Sequence, residues 1–226
     1  QEMVARLADA PNKDAILDAI STYTQSDYRT ARAPSPRERS VNAQRVGAVL
    51  NAVGNEAGAD AFDELAVRYD PDNATVNNNY GYRLLNRDDV KRLDDAVAMI
   101  ERAYDSYGAQ PPSNVIDSLG WARYKAGIVH DVTDQNGALV TPGAVTLLKR
   151  AIKLSENSVD PEEEYALPIL AAHLGDALWV AGDRERALEA WRRTVTLGTR
   201  LLGSRQAALL PDSALDELRD AVKAAR

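Results

Sequence analysis

The stretch DSLGWARYKAG (Asp117–Gly127) reads as a helix with a glycine inside it. Gly120 stands between Leu119 and Trp121, and an interior glycine costs a helix about 1 kcal/mol against alanine. A glycine at that cost points to a place where a side chain would not fit. The same pairing of an apolar or aromatic residue with glycine recurs at Val46-Gly47, Tyr80-Gly81 and Leu174-Gly175. The four glycines lie 34, 39 and 55 residues apart. Recurrence near this period is the mark of a repeat array.

The small residues around each glycine keep their offsets. Gly47 is followed by Gly54, Ala59 and Ala66, and Gly175 by Gly182, Ala187 and Thr194. The second unit, with Gly81, Ala96 and Ala103, carries three extra residues at NRDDVKRLDD. The third, with Gly120, Gly127, Ala144 and Ala151, carries twelve around VHDVTDQNGALVTPG. The excess between units falls at GAQPPSN and ENSVDPEEEYAL, where Gly, Pro, Asn, Asp and Ser predict turns. The insertions are therefore expected to lengthen loops and to leave the helices intact.

LGDALWVAGDRERALEAWRR, DPDNATVNNNYGY and DSLGWARYKAG together resemble the tetratricopeptide repeat family, most of all the C-terminal repeats of bacterial members. The resemblance covers residues 40 to 198 and implies an all-α fold, a right-handed superhelical solenoid of antiparallel helix pairs. Repeats are expected at 40–73, 74–110, 113–155 with an insertion at 128–143, and 168–200, within a repeat domain of 36–200. The small residues are where the two helices of a pair approach closely. In the first unit Asp63 stands where a large apolar residue is expected, with Phe62 or Leu65 to compensate.

Residues 1–35 fit the repeat poorly. EMVARLADA and NKDAILDAISTYT read as two short amphipathic helices split by Pro11, a degenerate repeat or a cap, followed by a Pro- and Ser-bearing linker. At the other end, residues 201–226 contain a capping helix whose Leu215, Leu218 and Val222 form one apolar stripe.

Composition narrows the function. The net charge is −7, and bases are interleaved with acids, so nucleic acid is not an expected partner. There is no cysteine, which fits the bacterial periplasm or cell envelope and the cytoplasm equally. No apolar run reaches the length of a membrane span. The two histidines, His130 and His173, have no second histidine at metal-ligand spacing, and no phosphate loop or catalytic triad order is present. DQNG (Asp134–Gly137) reads as a turn. No cofactor, metal or enzymatic activity is expected.

In the family, certain positions of each first helix face the concave groove. The resemblance places Gln44, Asn51, Asn78, Tyr82, Asn86, Asp117, Trp121, Tyr124, Lys125, Asp176 and Trp179 there. Asn78, Tyr82, Asn86, Asp117, Trp121, Tyr124, Lys125 and Asp176 are the candidate partner-binding residues. Aromatic faces give contact area at low entropic cost, and amides pair with an extended backbone. Trp121 has two readings of equal weight, groove-facing or filling the seam between repeats. Trp179 reads as packing and Trp191 as core. The clamp by which chaperone-tail adaptors hold a C-terminal carboxylate is missing, since only Lys125 is basic among those positions. The insertion is either a β-hairpin or an extended surface loop, with the loop favoured. The expected function is a non-enzymatic scaffold that holds a peptide segment or partner helix in its groove. The alternative is a self-associating structural scaffold or the interaction part of a larger protein.

Overall fold

A computed structural model describes residues 34–87, 90–204, 207, 210 and 212–226. The two amphipathic helices expected before residue 34 lie outside the described residues. The fold is all-α, built from helix pairs, with one two-stranded sheet among the described residues. The chain divides into two compact units, Gln1–Tyr80 and Gly81–Arg226.

In the first unit, α1 (Pro36–Ala52) and α2 (Glu56–Tyr69) form a pair, and α3 (Ala74–Leu85) begins there. The start of α1 is a capping box. Ser35 Oγ accepts from Glu38 N at 3.3 Å, and Ser35 N donates to the Glu38 carboxylate at 2.7 Å. Ala43, Val46, Leu50, Ala59, Phe62, Leu65, Ala66 and Val76 make the core. Phe62 and Leu65 are both buried, and the neighbouring Asp63 is buried too, against Gly47.

The second unit takes the rest of α3, a 3-10 turn (Val90–Arg92), α4 (Leu93–Ser106), α5 (Ser113–Lys125), α6 (Ala144–Glu156), α7 (Pro161–Val180), α8 (Arg184–Leu202) and α9 (Asp212–Ala224). The repeat glycines sit where one helix meets the other of its pair. A Cβ on Gly81 would lie 2.8 Å from Ile100, one on Gly120 2.8 Å from Leu148, and one on Gly175 2.4 Å from the Trp191 ring. The second glycine of the repeat ends the first helix. Gly54, Gly127 and Gly182 have φ of 78°, 76° and 88°, a left-handed conformation that side chains resist. The residue after each donates back to the helix in the same way, Asn55 N to Leu50 O, Ile128 N to Arg123 O and Asp183 N to Leu178 O.

Two expectations are corrected. The segment ENSVDPEEEYAL, where turn formers predict turns and the fourth repeat is expected to begin only at 168, is helical from Pro161 onward, because proline suits the first turn of a helix, where its missing N–H is not needed. Glu163 in that first turn accepts from Ser113 Oγ at 2.6 and 2.5 Å and from Ser155 Oγ at 2.6 Å, so the early turns of α7 are tied to α5 and α6. The insertion is a hairpin rather than a bare loop. Antiparallel β1 (Val132–Thr133) and β2 (Leu139–Thr141) pair Val132 with Thr141 and Thr133 with Leu139. Asp134 Oδ1 accepts from Asn136 N and Ala138 N, both at 2.8 Å, which builds the turn.

Candidate functional site

The first helices of the second unit present their polar and aromatic residues to one another. Tyr82 comes from α3 and Asn86 from the turn that follows it, Asp117, Trp121, Tyr124 and Lys125 from α5, and His173 and Asp176 from α7. Their centre is the buried pair of His173 and Asp117, with Nδ1 at 3.0 and 3.1 Å from the two carboxylate oxygens. Trp121 stacks on the imidazole, 4.2 Å between centroids and 17° between planes, and also on Tyr124 at 4.8 Å. The Trp121 indole N–H donates to Asn86 Oδ1 at 2.9 Å.

These contacts decide the orientation of Trp121. It is 9% exposed and fills the seam between repeats, covered by His173 of α7 and fastened to Asn86 just after α3. Gly120 beside it faces α6. Asp117 is likewise buried. Asn86 is exposed, while Tyr124, Lys125 and Asp176 are half-buried. Asn78 lies in the first unit, buried, and its Oδ1 has no hydrogen-bond partner among the described residues.

Electrostatics binds the cluster further. Burial pushes the His173 imidazolium down, but the charge and hydrogen bond of Asp117, with the charges of Glu217 and Asp176, outweigh it and leave the pKa raised. Burial also holds the Asp176 carboxyl above its usual range, partly offset by a hydrogen bond from Trp191 and by the charges of His173 and Lys125. Tyr124 is raised by burial and then by Asp176. Tyr82 is raised well above the usual phenol value, first by burial and then by Glu217 and Asp117.

Two of these residues escaped the sequence reading. His173 reads as a lone helix histidine, and its partner lies 56 residues away. Glu217 sits on α9, and the Tyr82 hydroxyl donates to its carboxylate in a short hydrogen bond. The capping-helix pattern locates the apolar stripe of α9 and gives no signal for this polar contact.

The far end of the cluster is open. Trp179, read as packing, is 42% exposed, and the Arg184 guanidinium lies 3.7 Å over its ring. Trp191, read as core, is half-buried. Its indole N–H donates to Asp176 Oδ1 at 3.0 Å, so an edge stays beside that polar partner. The two tryptophans meet at 5.3 Å. The Lys125 ammonium stands 5.1 Å over Trp121. Elsewhere in the unit, His130 and Asp131 border a cleft of 290 Å³ with Lys149 and Asp183, but Asp131 is committed to Gly143 N and Thr146 Oγ1 at 2.8 and 2.9 Å. Among the described residues, no three His, Asp or Glu side chains are grouped to hold a metal, and no helix is long and apolar enough to cross a membrane.

No protein-family model and no curated protein matches the chain. Solved structures do. BtubC (BKLC) from P. vanneervenii is similar at 19% identity over 90% of this chain and 82% of its own, with a TM-score of 0.58. PilF of Pseudomonas aeruginosa matches at 16% identity over 99% and 87%, with a TM-score of 0.49. YrrB, a TPR protein with an unusual peptide-binding site, matches at 18% identity over 82% and 91%, with a TM-score of 0.41. At these identities the likeness concerns the fold alone, and the chain has an all-α helical-repeat fold.

Proposed function

We propose that the chain is a non-enzymatic protein-interaction scaffold, and that it holds a peptide segment or partner helix along the open rim formed by Tyr124, Lys125, Asp176 and Trp179. The observation that carries this reading is the contrast along one face of the second unit. Asp117 and His173 are buried and bonded to each other and Trp121 is buried on Asn86, whereas Tyr124, Lys125 and Asp176 are half-buried and Trp179 is 42% exposed. An exposed tryptophan beside a cation and a carboxylate offers apolar area, a donor and an acceptor together, which is what an extended segment needs. Helical-repeat proteins use such surfaces for binding, though the fold itself does not assign a partner.

The test is site-specific photo-crosslinking in cells. A photoreactive phenylalanine replaces Tyr124 in one strain and Arg192, exposed on α8, in another. The expected result is a discrete adduct from position 124, weakened at least about tenfold when Lys125→Ala and Trp179→Ala are added. Equal adducts from both positions, or an adduct untouched by the double change, would overturn the reading. An adduct whose second component is the chain itself would replace it with self-association.

A further inference from the structure

We propose that α9 is a releasable latch, held on the second unit by the bond of Glu217 to Tyr82 beside the His173–Asp117 pair. The latch goes beyond the proposed rim function and stands without it. Its basis is the meeting of four helices around one ring. Tyr82 enters from α3, Asp117 with Trp121 and Lys125 from α5, His173 and Asp176 from α7, and Glu217 from α9. From α8, the Trp191 indole N–H occupies Asp176. Tyr82 stands beside the imidazole as well, 6.2 Å between ring centroids, so its bond to Glu217 ties α9 to the cluster directly.

The charges do not balance. Three carboxylates, Asp117, Asp176 and Glu217, face two cations, His173 and Lys125, while the imidazole is protonated. When it loses its proton they face one. In a buried setting each charge acts strongly on the others. Glu217 then remains opposite two carboxylates with less compensation, and its helix is the one free to move away. The helices α5 and α7 are each packed in a pair, whereas α9 follows the last pair. Leu218 and Val222 anchor it on Leu201, with Tyr165, Leu202 and Leu210 at the edge. Departure of α9 would uncover the Tyr82 hydroxyl and the apolar stripe around Gly198 and Leu201.

The sign follows from His173. Among the causes that raise its pKa, after burial, which lowers it, and Asp117, is the charge of Glu217 on α9, so through that pair protonation of His173 and docking of α9 favour each other. The contribution is complete below about pH 6.5, the ordinary value, and is lost as pH rises through the higher folded value.

The chain has no cysteine, so Val222→Cys places a single thiol in the docked face. Its alkylation rate is divided by that of a free peptide of residues 212–226 with the same substitution, which cancels the thiol's own titration at each pH. Protection is expected to fall at least about threefold from pH 6 to pH 9, since each unit of pKa displacement changes docking tenfold. Adding His173→Gln or Glu217→Gln is expected to make protection independent of pH. In Glu217→Gln the melting temperature of the whole chain should still depend on pH, because His173 and Asp117 remain. Protection that is flat in the parent, or that falls equally with Glu217→Gln, would overturn the latch. Where Val222→Cys itself loosens α9, amide exchange of residues 214–224 in the unsubstituted chain, normalised to the same peptide, carries the same test with the same two outcomes.

Discussion

At Gly175 a missing side chain holds a pair of helices together. The Trp191 ring lies where its Cβ would be, at 2.4 Å, and that ring is pinned by Asp176 and Trp179. Gly175→Ala is therefore expected to cost about 1–3 kcal/mol and to lower the melting midpoint by about 3–10 °C. Gly120→Ala meets the Leu148 side chain, which has rotamers to move through, and the gain in helix propensity offsets much of the strain. Thermal melts of the two variants should rank Gly175→Ala as clearly the worse, and the reverse order would show that the contact does not govern the spacing. These glycines are legible in the sequence because each imposes the same local demand in every repeat. The pairing of His173 with Asp117 is not, since it depends on which faces of α5 and α7 meet. Its consequence is visible in pH dependence. Both His173 and Asp176 have raised folded values, so each contribution is lost as pH rises. The melting temperature is expected to decline from pH 6 upward, and His173→Gln should flatten that decline.

Helix boundaries show what turn formers do and do not say. Gly127 and Gly182 end helices, as their offsets imply, because only a left-handed residue lets the next N–H reach back to the helix. Pro161 begins one, and Pro168 sits inside it. The interior proline leaves the carbonyl four residues before it without its helical donor. Separately, the Thr194 hydroxyl of α8 lies 3.1 Å from the Pro168 carbonyl and 3.2 Å from that of Ala190, to either of which it donates. The repeat offset marks position 194 only as a place for a small residue, and the hydroxyl has this further use. Thr194→Val keeps the shape and loses the bond, with an expected loss of about 0.5–1.5 kcal/mol in chemical denaturation. An unchanged midpoint would show that the backbone there is satisfied without it. The hairpin depends on Asp131, which accepts from Gly143 N and Thr146 Oγ1 and so anchors the base of the insertion on α6. In Asp131→Ala the amides of residues 132–141 are expected to exchange faster, with the helices unaffected. Its apolar residues Val132, Leu139 and Val140 are exposed, which is why their pattern favours a loop over a hairpin.

At the scale of the molecule, repetition makes the helix pairs legible, and departures from repetition make the candidate site. The resemblance places Asn86, Trp121, Tyr124, Lys125 and Asp176 on corresponding helix faces, and in the second unit those faces converge. It could not say that Trp121 would be covered or that α9 would add Glu217, because neither contact lies within a repeat. Around His173, α3, α5, α7 and α9 bring their polar groups together, with its pKa raised. The chain has two histidines, so its imidazole resonances are few and His173→Gln assigns them. Titration of the His173 ring by NMR is the direct measurement. The midpoint is expected above about 6.5, to fall on Asp117→Asn, and to fall by less on Glu217→Gln. A midpoint at or below that value, unmoved by either substitution, would contradict the claim.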